Sequence, residues 1–302
     1  MKNFLKKLTV LLTAVILALT LPVFPVMADE IPPEEMKYTP SVISPVNSES
    51  NNVVVFGYKD TTLHVECGGK SLAKVKYSKP EFKNVKIQPQ KAGAKMKFYL
   101  VTSYGKKGKV VTRTVLNLAK EKLSATLKAP SVQKNINNRT TTVRVSAPKN
   151  ATLMVKDDKA KILAQQVFAK NGYQNIKVNI PKNARYLYFY DKIGNKRSKV
   201  TARKVQDKVA PASPVITKND DMGASVLVKG EIGTYILMNL DGKWFRCGAV
   251  TDKNGFTLES AAYGGSSSFT YKIMLKDMAG NNSKAVAMKF DGQGTAVNVA
   301  GK

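Results

Sequence analysis

Arg185-Tyr186-Leu187-Tyr188-Phe189-Tyr190-Asp191-Lys192-Ile193-Gly194-Asn195-Lys196-Arg197-Ser198-Lys199-Val200 reads as an alternating strand, a glycine turn and a basic strand. Side chains that swap sides every second position mark a half-buried β-strand, and a glycine between two such runs supplies the positive φ of a tight turn. The same closing hairpin recurs around Tyr104-Gly105-Lys106 and Ala279-Gly280-Asn281. Each copy opens with a proline leading into a short apolar strand: Pro40-Ser41-Val42-Ile43, Pro130-Ser131-Val132 and Pro214-Val215-Ile216. Opening proline and closing glycine lie 65, 64 and 66 positions apart, so the chain is built from three repeats.

Between these landmarks the period of two persists. Leu63, Val65 and Cys67 alternate with His64 and Glu66, and Thr141, Val143 and Val145 with Thr142 and Arg144. Turn signals follow at short intervals: Gly68-Gly69, Pro148-Lys149-Asn150, Asn171-Gly172, Asp241-Gly242 and Asn254-Gly255. No stretch after the first thirty residues carries a helical period. The expected architecture is all-β: three tandem immunoglobulin-like β-sandwich domains after a cleaved signal peptide. The divisions are a signal at 1–28, repeats at 38–127, 128–207 and 208–292, and a flexible tail at 293–302. Ala129-Pro130 and Ala210-Pro211 read as short, stiff linkers between units that each close over their own core.

The third repeat resembles the bacterial immunoglobulin-like repeats of secreted and surface proteins. The residues that carry this are Ala210-Pro211-Ala212-Ser213-Pro214-Val215-Ile216, Val228-Lys229-Gly230, Val250-Thr251-Asp252-Lys253-Asn254-Gly255-Phe256 and Asp277-Met278-Ala279-Gly280-Asn281-Asn282-Ser283. The second repeat echoes them only at Asp191 to Asn195 and Ser198, and the first keeps the spacing alone. The resemblance implies stalk, spacer or adhesive modules without catalytic residues. This chain departs from that family in being strongly basic.

Lys2, Lys6 and Lys7 precede an uncharged apolar run from Leu8 to Val26, and Val26-Met27-Ala28 presents short residues before Asp29-Glu30. Pro22 and Pro25 interrupt the run before a full membrane span. A cleaved secretory signal is expected, with an uncleaved anchor as the alternative, and a chain starting at Asp29 that carries no transmembrane segment. The expected location is secreted, extracellular or noncovalently associated with the cell wall.

The formal charge is +28, unevenly spread. Residues 29–127 hold 17 basic and 9 acidic side chains, residues 128–210 hold 19 and 4, and residues 211–302 hold 10 and 8. Lysines on open strand faces suppress aggregation, but solubility does not require one unit to carry most of the excess. Such a body outside a cell attracts anionic wall polymer, acidic glycan or nucleic acid, with the first two as the expected partners and no specific nucleic-acid recognition expected.

Anchoring on Gly194 and Gly280 sets Leu187 and Phe189 inward, like Ile273 and Leu275, and Tyr186, Tyr188 and Tyr190 outward. With Ser198, Val200 and Ala202 inward, Arg197, Lys199 and Arg203 stand beside the tyrosines. Rings interleaved with cations suit a polyanion or glycan face, or simply stabilise an exposed sheet. In the third repeat, an Asp241-Gly242 turn pairs Leu240 with Lys243 and Met238 with Phe245. Ile236, Met238, Leu240, Phe245 and Cys247 then share the core face, and Tyr235, Leu237, Trp244 and Arg246 the other. Tyr235, Trp244 and Arg246 form either an aromatic platform for sugar or packing against a neighbouring domain.

Catalytic chemistry is not expected. His64 is the one histidine and alternates outward, which leaves no multi-histidine metal site. Cys67 and Cys247 fall inside different sandwiches and read as buried free thiols, so no disulfide is expected. Asp157-Asp158 and Asp220-Asp221 are turn formers rather than a hydrolytic pair, and Asp252, Asn254 and Asp277 supply too few carboxylates for calcium. No cofactor is expected. The leading reading is a non-catalytic surface module held to anionic polymer, followed by a carbohydrate-binding protein and, remotely, a secreted hydrolase.

Overall fold

A computed structural model of the chain describes residues 38–218, 225–240, 242–259, 269–290 and 296–299. The expected signal at 1–28 and Asp220-Asp221 lie outside them. The first unit contains β1 (Ser41–Val42), β2 (Asn52–Gly57), β3 (Thr61–Cys67), β4 (Lys70–Tyr77), β5 (Glu81–Lys86), β6 (Lys95–Thr102) and β7 (Val111–Thr114). After β8 (Lys122–Leu123) come β9 (Ser131–Val132), β10 (Ile136–Asn137), β11 (Thr142–Ala147), β12 (Thr152–Lys156), β13 (Ile162–Val167), β14 (Gly172–Lys177), β15 (Tyr186–Ile193), β16 (Lys196–Arg197) and β17 (Thr201–Gln206). The third unit holds β18 (Val215–Lys218), β19 (Ser225–Lys229), β20 (Thr234–Leu240), β21 (Lys243–Val250), β22 (Phe256–Glu259), β23 (Phe269–Lys276), β24 (Val286–Phe290) and β25 (Ala296–Val299).

Each unit is a two-sheet sandwich of the same plan. The smaller sheets run β1-β2-β5, β9-β11-β14 and β18-β19-β22. The larger sheets run β4-β3-β6-β7, β13-β12-β15-β17-β10 and β21-β20-β23-β24-β25. The first, second and fifth main strands thus oppose the third, fourth, sixth and seventh, an immunoglobulin-like arrangement with the fourth strand on the side of the third. Alternation builds three cores. In the first, Val53, Val55, Leu63, Val65 and Phe98 meet. Val143, Val145, Leu153, Val155, Leu187 and Phe189 do so in the second, and Ile216, Val228, Ile236, Ile273 and Leu275 in the third. Gly68 and Gly69 take φ of 56° and 76° between β3 and β4, the left-handed pair that a two-residue hairpin turn needs. Gly57 is required for space: a Cβ there would lie 2.5 Å from the buried Tyr77 ring.

The units are not separated by stiff spacers. Leu116 pairs with Asn47, and beyond it β8 adds parallel to β16, so the connection from the first unit becomes part of the second unit's sheet. A fourth apolar cluster joins the first unit to the third: Val54, Phe56 and Phe82 bury against Ala249, with Ile43, Tyr58 and Tyr235 around them. The second and third units touch through Lys182–Glu231 (2.7 Å) and through Asn281 Nδ2 donating to the Asp207 carbonyl (3.3 Å). The tail expected to be flexible from 293 onward includes β25, whose residues Ala296 to Val299 pair antiparallel with β24. Residues 293–295 and 300–302 lie outside the described residues. Among the described residues no helix is long and apolar enough to cross a membrane.

Candidate binding faces

β15 has the expected phase: Leu187 and Phe189 enter the core, and Tyr186, Tyr188 and Tyr190 take the other face. That face is not open. Tyr188 is 3% exposed and Tyr190 1%, because the start of the first unit and the connecting segment lie over them. Asn47 and Ser50 reach the Tyr188 hydroxyl, Asn52 Nδ2 donates to Tyr186 OH (2.9 Å), and Tyr190 OH donates to Glu121 (3.4 Å). Asn47 Nδ2 also donates to the Asp158 carbonyl at 3.0 Å, and Lys156 Nζ to that of Leu118. Burial pushes the Tyr188 phenol up to about 12 and that of Tyr190 higher still. The expected open stripe is therefore corrected to an interface between units.

The cations placed beside the stripe separate three ways. Arg197 does lie on the tyrosine face, paired with Lys192, and meets Glu49 of the first unit at 3.4 Å. Arg203 does not: it pairs with Leu187, while Ala202 pairs with Tyr188. One extra residue between β16 and β17 shifts the register and reverses the parity beyond Ser198, as a bulge does. The Arg203 guanidinium instead donates to the carbonyls of Val132 (3.0 Å) and Gln133 (3.2 Å). Lys199 falls in the shifted segment and is exposed.

Asp191, at the inward phase, pairs with Leu153 and is fully buried. Both of its carboxyl oxygens lack a hydrogen-bond partner. Desolvation lifts its pKa to about 7, since an uncompensated charge is costly in an apolar setting. Asp157 behaves as a turn former, accepting the N–H groups of Lys159 and Lys161 at 2.9 Å. Asp158 accepts from the N–H groups of Arg185 (2.7 Å) and Tyr186 (3.2 Å).

The β20–β21 hairpin has the expected register, with Met238 opposite Phe245 and Leu240 opposite Lys243. Phe245, expected on the core face, remains 49% exposed near the turn. Tyr235, Leu237, Trp244 and Arg246 line one open hollow of about 610 Å³, closed by Met274, Lys276 and Asn282. The Arg246 guanidinium stacks 4.8 Å from the Tyr235 ring centre. Tyr235 also contacts the first unit: its ring lies 5.4 Å from Phe82, whose N–H donates to the tyrosine oxygen at 3.1 Å. Trp244 is 40% exposed. The two expected alternatives therefore divide between neighbours, Tyr235 packing on a domain and Trp244 remaining open.

A further ring–cation pair escaped the sequence reading. On the outer face of β11 and β14, Arg144 stacks 4.5 Å from the centre of Tyr173, which is 55% exposed. The outward phase of Arg144 was legible; its partner lies on a strand nearly thirty residues away and needed the sheet pairing. His64 faces outward as expected and stacks on Tyr99 at 5.1 Å. Cys67 and Cys247 are free thiols in different units, and burial pushes that of Cys247 up to about 11. Asp252 accepts from the Asn254 N–H (2.7 Å), while Asp277 accepts from Asn281; among the described residues no acid, histidine or cysteine cluster has metal-ligand geometry.

No family model and no curated protein matches the sequence. Among solved structures the chain is similar to the BSP domain of a biofilm associated protein, at 18% identity and a TM-score of 0.25 over 57% of this chain and 30% of that one. It is also similar to Drosophila OTK extracellular domains 3–5 (14% identity, TM-score 0.22, 83% of this chain and 97% of that one). A third likeness is to the FN1–FN3 domains of chicken CNTN1 (8% identity, TM-score 0.22, 83% and 96%). The chain spans under a third of the length of the first of these.

Proposed function

We propose that this is a non-catalytic extracellular protein of three immunoglobulin-like modules, held noncovalently to anionic wall polymer or acidic glycan through its second unit. The observation that carries this reading is the state of that unit's four carboxylates. Asp157 and Asp158 are spent on backbone N–H groups, Asp191 is buried without a partner, and Asp207 accepts from Asn138 and from the Val209 N–H. Among the described residues no ion pair joins any of them to a cation. The second unit's ion pairs use Glu49, Glu121 and Glu231 of its surroundings, so its many other exposed lysines and arginines remain un-neutralised. Net positive potential on this scale draws polyanions by long-range attraction. The lysine-led apolar run at the N-terminus supports export.

A second reading, carbohydrate binding by ring stacking, is favoured by the hollow beside Trp244, which combines an open indole with Arg246, Lys276 and Asn282. Ionic strength separates the two. The screening length falls from about 10 Å at 0.1 M salt to about 3 Å at 1 M. Retention of the purified chain on acidic polymer is expected to collapse between those concentrations. Capture that is equal at both, or confined to uncharged glycans, would replace the electrostatic reading with stacking. No capture by any polymer would remove both.

A further inference from the structure

We infer that the outer face of the β9-β11-β14 sheet is the docking strip for a carboxylated polysaccharide, with Arg144, Tyr173 and Lys177 as its contacts. This rests on the proposed polyanion reading and names the surface that carries it. The register places Arg144 opposite Asn175, between Tyr173 and Lys177 on the neighbouring strand. Both are diagonal neighbours of Arg144, about 7–8 Å away across the sheet. Tyr173 OH lies 3.3 Å from Ser131 Oγ, which steadies the ring, and Arg144 lies over one face of it. A guanidinium lying on a ring keeps its N–H edge free, and that edge forks onto a carboxylate in a way a lysine does not.

Three observations single out this face. First, it is open: Thr142, Arg144, Tyr173, Asn175 and Lys177 are all exposed. Second, no Asp or Glu occurs in 128–156 or 159–190, so neither strand nor the turns between them offers a competing carboxylate. The turns instead add Arg139 before β11, Lys149 after it and Lys170 before β14, all exposed, which extends the positive strip past both ends of the sheet. Third, the equivalent faces elsewhere differ. In the first unit Val54, Phe56 and Phe82 are buried against the third unit. In the third unit Lys229, opposite Val215, shares the face with Thr217, Leu227 and Thr257, position 259 on the same face is an acid, and no aromatic residue pairs beside the lysine. A linear carboxylated chain fits better than a nucleic acid, because the strip has a single ring rather than a row on which successive bases could stack.

The test compares two variants of equal charge in the full chain. Arg144→Gln with Lys177→Gln removes the strip; Lys199→Gln with Lys204→Gln removes two exposed lysines elsewhere on the same unit. The probes are polygalacturonate, its methyl-esterified form and single-stranded DNA, at about 0.1 M salt. Losing one exposed charge contact costs about threefold in affinity, so the first variant is expected to bind polygalacturonate about tenfold more weakly. The second is expected to change it less than threefold, with the esterified polymer bound by neither. Arg144→Lys is expected to lose affinity although charge is kept, and thermal melts check that folding is unchanged. Equal loss in both variants overturns the strip while leaving diffuse electrostatic capture standing. Preference for DNA over the uronate overturns the ligand class. Failure of the wild-type chain to bind any acidic polymer removes the functional reading and the strip with it.

Discussion

Asp191 makes the stability of the second unit depend on pH with a sign opposite to the usual carboxylate. Its ordinary pKa of 3.8 rises to about 7 in the folded chain because both oxygens are buried without donors. Below pH 4 folded and unfolded chains both hold the proton. Between pH 4 and 7 the unfolded chain releases it while the folded chain retains it, so stability falls as pH rises. A pKa raised by about three corresponds to about 4 kcal/mol, lost at about 1.4 kcal/mol for each step of one in pH and fully lost above pH 7. Asp158, raised by burial as well, adds a slope of the same sign, so the comparison must be with Asp191→Asn, which removes only one titration. Hydrogen exchange of a peptide spanning 185–193, corrected for intrinsic rates, reads the opening free energy of this strand between pH 5 and 8. The wild type is expected to lose protection across that range, and Asp191→Asn to lose clearly less and to be the more stable at pH 8. Parallel profiles for the two proteins would show that Asp191 finds donors or water in solution, and the desolvation argument would fail.

Gly57→Ala places a methyl 2.5 Å from the ring of Tyr77, whose hydroxyl donates to the Val55 carbonyl at 2.9 Å. Overpacking against a fixed ring is expected to cost about 1–3 kcal/mol, and an unchanged melting temperature would contradict the close approach. Tyr188→Ala removes a ring that the first unit covers, at an expected cost of about 3 kcal/mol or more, while the Leu187 and Phe189 core remains. The readout is faster trypsin cleavage at Lys120 and Lys122 and a larger radius of gyration; unchanged cleavage would mean the units do not dock through this face. Trp244 is the sole tryptophan, so its fluorescence reports the hollow directly. A glycan that enters there shifts the emission, and Trp244→Ala removes the salt-resistant part of binding; emission indifferent to every bound glycan would exclude the hollow.

The sequence alone determined what depends on neighbours close along the chain. Period-two alternation and glycine turns were enough for three sandwiches, for the inward phase of Leu187 and Phe189, and for the pairing of Met238 with Phe245 across the turn. Alternation says that a strand has two faces but not what lies against the second one. That is why Tyr188 and Tyr190 looked open while the first unit covers them, and why Arg144 found its ring on a distant strand. A single extra residue between Arg197 and Thr201 was equally invisible, since a bulge is decided by the hydrogen-bonding of the partner strand, and it turned Arg203 to the opposite face. Which cations stay free was a tertiary decision too. Burial, backbone donors and contacts between units dispose of the acids, and only the folded chain brings those groups together.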